Sequence, residues 1–223
     1  MNRTYALIGV IALAVIALGV AAYFVFSGGG SSDKEASAGP MAIILSKDDR
    51  TMGSKSAPLT VVEYAAPTCP HCAHFDMDIF PQFKKDYVDT GKVFYVFRVF
   101  PLNPVDVAAE AMARCLPEDN YFQFLDLLYR NQPKWDPDGY QVADVHGALV
   151  AMGKIAGLSA EQVDSCIGNQ AAQKRIQDVG TDAQTKYGIN GTPSFVADGQ
   201  VHGPFEDYQE FKTFLDGLLA KKK

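Results

Sequence analysis

A chain of 223 residues, 48% of them hydrophobic, is long enough to bury a sizeable core. With 20 Lys and Arg against 26 Asp and Glu, its net charge of −6 leaves no basic footprint, and nucleic-acid binding is excluded as the expected function. The one basic cluster, Lys221-Lys222-Lys223, reads as a solubilising end.

Tyr5 to Phe26 is an almost unbroken apolar run preceded by Arg3, and about 20 apolar residues suffice to span a bilayer. Residues 1–26 therefore read as a signal anchor or as a long cleaved signal peptide. Val20 and Ala22 permit cleavage after Ala22, while the continuation through Tyr23, Phe24, Val25 and Phe26 favours an uncleaved anchor. Either way the remainder is exported into an oxidising environment. Residues 27–56 follow as a flexible linker, small and polar through Gly39-Pro40. The short apolar stretch from Met41 to Lys47 within it is expected to form an edge strand.

Leu59 to Ala65 is β-branched and apolar, a buried strand by composition, and Ala66-Pro67-Thr68 breaks it. Cys69-Pro70-His71-Cys72 comes next, and Phe75, Ile79, Phe80 and Phe83 then recur at helical spacing. A helix start supplies free N–H groups and a positive dipole end, both of which favour thiolate over thiol, and Cys69 sits where that effect is largest. Pro70 suits a first helical position, and Cys72 lies one turn on, close enough to close a small ring. Cys69 is expected to attack and Cys72 to resolve. His71 is expected to favour the thiolate by a hydrogen bond or partial charge. The spacing reads as a redox motif; a zinc site usually needs a second ligand pair, and no metal is expected. A metal-binding site built from Cys69, His71, Cys72 and His74 stays as the reading from a different functional class.

Lys92 to Phe100 is a second strand signal, and about Asn103 to Lys186 reads as helices. Cys115 and Cys166 fall in two of these helices. An even cysteine count in an exported protein makes a structural disulfide between them the simplest inference, with two buried free thiols as the alternative. Trp135, His74, His146 and His202 read as surface or packing residues. Gly191-Thr192-Pro193 precedes a short strand, Ser194 to Ala197, and a Thr192–Pro193 bond held cis would set backbone groups beside the cysteines for a substrate peptide to pair with. Asp198-Gly199 turns the chain into Val201-His202, and Glu206 to Ala220 closes as an amphipathic helix.

Val62-Glu63-Tyr64, the Cys69-to-Phe75 segment, the helix-rich middle and Gly191-Thr192-Pro193-Ser194-Phe195 together resemble the DsbA-like branch of the thioredoxin superfamily, over roughly Ala57 to Lys221. The resemblance implies an α/β thioredoxin-like fold made of residues 57–102 and 187–221, with an inserted helical domain at 103–186. It implies a monomeric periplasmic thiol:disulfide oxidoreductase, anchored here to the inner membrane, that needs no cofactor. Its partners would be unfolded or reduced exported proteins and a quinone-linked membrane protein that re-oxidises it. Glu63 matches the family's buried acid, which could move a proton to or from Cys72; an outward-facing strand glutamate is the other reading. Thr192 departs from the oxidase pattern, which tends to carry Val there, and is similar to the isomerase and reductase relatives. Oxidation of substrates is the expected direction, reduction or isomerisation the alternative.

Overall fold

The structure is a computed structural model that describes residues 42–222. The expected anchor or signal segment at residues 1–26, and the linker as far as Met41, lie outside the described residues. Among the described residues no helix is long and apolar enough to cross a membrane.

The framework is a five-stranded sheet of order β1-β3-β2-β4-β5, formed by β1 (Arg50–Met52), β2 (Leu59–Ala65), β3 (Val93–Val99), β4 (Ser194–Ala197) and β5 (Gln200–His202). β2 and β3 run parallel; the other three pairings are antiparallel. β2 and β3 are buried on both faces, as the near-continuous apolar composition of a central parallel pair requires. The side-chain period of two sorts their residues cleanly. Leu59, Val61, Ala65, Val93, Tyr95, Phe97 and Val99 enter the larger core with the helical insert. Val62, Tyr64, Phe94 and Val96 enter a smaller one with Ala183 and Ile189. Glu63 has the parity of the larger core.

The first helical run begins with α1 (Pro70–His74), passes through a π-helical turn at Phe75–Ile79 into α2 (Phe80–Phe83), and ends in a second π-helical turn at Lys84–Val88. Between β3 and β4 lie α3 (Pro104–Cys115), α4 (Tyr121–Arg130), α5 (Gln132–Trp135), α6 (Val145–Ile155), α7 (Ala160–Ile167) and α8 (Gln170–Tyr187); α9 (Tyr208–Ala220) follows the sheet. This is the thioredoxin-like α/β fold with a helical insertion. α3 starts on a full capping box, with Asn103 accepting from the Val105 and Asp106 amides and Asp106 answering the Asn103 amide. Cys115 of α3 is bonded to Cys166 of α7, with Cα atoms 6.2 Å apart. Trp135 is fully buried and donates its indole N–H to the Leu128 carbonyl at 2.8 Å.

The edge strand is not where the apolar stretch suggested. Ala42 to Lys47 is irregular, and the edge strand is Arg50–Met52, paired with β3. A side chain replaces the ladder for the earlier residues: Arg98 donates to the Ile44 carbonyl at 2.7 Å and grips Asp49 through two bonds of 2.8 Å. Ile44 is left 74% exposed, so its apolar character reported no burial. The Asp198–Gly199 turn between β4 and β5 has positive φ at both residues, 51° and 74°, the geometry of a tight two-residue hairpin.

Candidate active site

Cys69 is the N-cap of α1, and Pro70 takes the first helical position. The Cys69 sulfur accepts a hydrogen bond from the Cys72 amide at 3.3 Å and, as a thiol, donates to the Thr192 carbonyl at 3.3 Å. The Thr192–Pro193 peptide is cis. Pairing of Tyr64 with Ser194 across β2 and β4 carries that turn to the end of the strand from which the cysteine loop springs. Cys69 is 4% exposed and Cys72 is fully buried. Both thiols are free.

The two sulfurs are driven apart electrostatically. The hydrogen bond from Cys72 to Cys69, with further help from Thr192 and the backbone N–H groups of Cys72 and His71, outweighs burial and lowers the Cys69 thiol to about 6. Burial, together with the same bond read from the other side, holds Cys72 well above the ordinary thiol range. One sulfur is therefore charged and the other protonated at neutral pH. The Thr192 hydroxyl is buried without a hydrogen-bond partner beside this site. His71 is exposed and its side chain makes no hydrogen bond among the described residues, while its backbone N–H is among the groups that lower the Cys69 thiol.

Glu63 is 3% exposed and accepts the Tyr95 hydroxyl at 2.6 Å. Burial raises its carboxyl to about 8, despite the Tyr95 bond, so the group is mostly protonated at neutral pH. It is the inward-facing reading of this glutamate that the structure carries. Glu63, Asp76 and Tyr129 line one cavity of about 350 Å³, walled also by Phe80, Tyr95 and Phe122. Burial, reinforced by Asp126, raises Asp76 to about 7. One Asp76 carboxylate oxygen and the Tyr129 hydroxyl are buried there without partners.

Cys69, Cys72, Glu63, Thr192 and Pro193 thus converge on one end of the sheet, while the Cys115–Cys166 bond lies apart in the insert. Asp76 and Tyr129 were not singled out in the sequence. Asp76 was within reach, being four residues after Cys72 and so on the same helix face; Tyr129 carries no such mark, since it falls at the helical spacing of the apolar residues Phe122, Leu125 and Leu128. Among the described residues no group of three or more His, Cys, Asp or Glu is arranged to hold a metal ion. His74 is instead engaged with Asp78 and the Glu206 carbonyl, at 2.8 and 2.9 Å.

A family model described as thioredoxin matches residues 45–217. A Rickettsia felis protein provisionally named a protein-disulfide oxidoreductase is 32% identical over 192 residues, which are 82% of this chain and 66% of that protein. The chain thus spans just under two thirds of that relative's length. Among solved structures, Wolbachia pipientis alpha-DsbA1 superposes with a TM-score of 0.72 at 27% identity, covering 81% of this chain and 95% of that one. Oxidised BdbD from Bacillus subtilis gives a TM-score of 0.67 at 26% identity, covering 82% and 97%.

Proposed function

The chain belongs to the thioredoxin family, and from that premise we propose that it is a thiol:disulfide oxidoreductase that introduces disulfides into exported proteins. One observation carries the reading: the Cys69 sulfur is stabilised as thiolate at a helix start beside the Thr192 carbonyl, while Cys72 is buried and protonated. Stabilising the sulfur in the reduced state makes the oxidised state the better electron acceptor.

The cycle starts from the Cys69–Cys72 disulfide. A substrate thiolate attacks the Cys69 sulfur, a new S–S bond forms, and the Cys69–Cys72 bond breaks with its electron pair going to Cys72. Cys72 takes a proton because its buried site disfavours charge, and protonated Glu63 is the nearby acid that supplies it, refilled from solvent along the cavity of Asp76 and Tyr129. A second substrate thiolate then attacks the substrate sulfur of the mixed disulfide and expels Cys69 as thiolate. The substrate has lost two electrons and two protons; the enzyme holds the electrons and one proton, on Cys72, and the other proton leaves to solvent. The Thr192 carbonyl offers an acceptor to an extended substrate strand once Cys69 is ionised and no longer donates to it. Thr192, the residue that suggested a reductase or isomerase, meets the Cys69 sulfur through its carbonyl, and its hydroxyl makes no hydrogen bond to that sulfur.

Residues 1–26 would hold the enzyme at the outer face of the inner membrane, with reduced exported proteins as substrates. A quinone-linked membrane protein would accept the electrons, at a raised effective concentration. Equilibration of the purified protein with glutathione, with Cys69→Ser as control, tests the assignment. A potential well above that of thioredoxin is expected. A strongly reducing potential would overturn it and make the protein a reductase.

A further inference from the structure

The backbone around Cys69 is held by side chains of the helical insert. Asp106 of α3, fully buried, accepts the Thr68 amide on one oxygen at 2.8 Å and the Leu102 and Asn103 amides on the other at 2.8 and 3.3 Å. Gln132, the first residue of α5 and 3% exposed, donates its amide nitrogen to the Pro67 carbonyl at 2.9 Å and to the Cys69 carbonyl at 3.1 Å. Both N–H bonds of that amide are used. The Cys69 carbonyl also receives the Ala73 amide at 3.0 Å, so its acceptor capacity is filled.

We propose that Gln132 is a positioning residue for the reacting sulfur: by taking the Pro67 carbonyl, and sharing that of Cys69 with the Ala73 amide, it keeps the negative end of the Pro67 peptide group off the sulfur and the helix-start N–H groups on it. The insert then does more than cover the sheet; it sets how readily Cys69 carries charge. Without Gln132 the Cys69 carbonyl would keep its bond from the Ala73 amide, but the Pro67 carbonyl, free to rotate in this dry loop, would turn toward the sulfur as easily as away from it, and in a low-dielectric site that contact would work against the thiolate. Trp135, at the far end of the same short helix, donates to the Leu128 carbonyl and makes no hydrogen bond to the loop. The inference rests on Cys69 being the attacking thiol.

The test is a titration of the reduced, full-length protein by thiolate absorbance and by alkylation rate, in the parent, in Gln132→Leu and in Trp135→Phe. Gln132→Leu keeps the side chain's bulk and removes both donors. Its Cys69 should titrate at higher pH than the parent's, alkylation at pH 6 should slow by about threefold to tenfold, and the glutathione equilibrium should shift by a similar factor toward oxidised enzyme. Trp135→Phe deletes the indole bond of the same helix without touching the loop; it should melt earlier yet titrate with the parent, which separates positioning from general weakening. If Gln132→Leu does not fold, the parent answers by NMR: the side-chain amide resonances of Gln132 should shift with the ionisation of Cys69. A Gln132→Leu protein that titrates with the parent, or Gln132 resonances indifferent to Cys69, overturns the proposal and leaves the oxidase assignment standing. A parent Cys69 that titrates as an ordinary thiol overturns both.

Discussion

At the scale of single residues, the site works by holding three ionisable groups away from their ordinary states. Cys69 is pulled down, while Cys72 and Glu63 are pushed up. For Glu63 the consequence for stability has a definite sign. Its carboxyl moves from an ordinary 4.5 to about 8, so the folded state binds the proton more tightly than the unfolded chain does. The stability it contributes is whole below about pH 4.5 and is lost as pH rises through about 8. Glu63→Gln should remove this loss, so that the reduced variant gains roughly 4 kcal/mol on the parent between pH 4 and pH 9 in denaturant melts. A gap that stays constant across that range would show that Glu63 is not protonated in the fold. The same variant should resolve mixed disulfides more slowly and lose the inflection near pH 8 from its rate profile. Cys69 itself runs the other way. Its lowered thiol contributes stability that is full above the ordinary thiol value of 9 and is lost as pH falls through about 6. The cysteine pair was legible in the sequence because its spacing marks it; Glu63 stood out only through the family resemblance, with an outward-facing reading left open beside it. Gln132 and Asp106 were not legible, since nothing in Asn131-Gln132-Pro133 announces which backbone the amide will meet. That partnership exists only once α5 has docked on the loop before Cys69.

At the scale of elements, the insert carries a covalent tie of its own. The Cys115–Cys166 bond joins α3 to α7 across 51 residues of sequence. Closing a loop of that size is worth about 4 kcal/mol in the chain-entropy model. The double variant Cys115→Ala/Cys166→Ala should lose stability of that order in melts while Cys69 titrates unchanged, because neither cysteine touches the loop. A shifted Cys69 titration in that variant would mean that the bond holds α3, and with it Asp106, in place. Strand and helix identities followed from the sequence wherever composition and period agreed, as in β2, β3 and the repeats of α3 and α4. The edge strand was misplaced because Ile43-Ile44-Leu45 has a strand's composition but its backbone is held by Arg98. The π-helical turns after α1 and the second cis peptide, Gly203–Pro204, carry no sequence signal of comparable strength.

At the scale of the whole molecule, the direction of electron flow decides what the protein is for. Rapid acid quenching and alkylation of intact cells should find the Cys69–Cys72 pair mostly oxidised. A pair found mostly reduced would argue for a reductase. With Cys69 only 4% exposed and Cys72 not at all, a cysteine on a finished, rigid surface cannot be brought to the attack distance without moving the backbone that carries it. A cysteine on a chain that is still loose can. Under the proposed activity that burial would set the moment of reaction: a client is open to oxidation while its chain is unfolded and closed to it once its surface has settled.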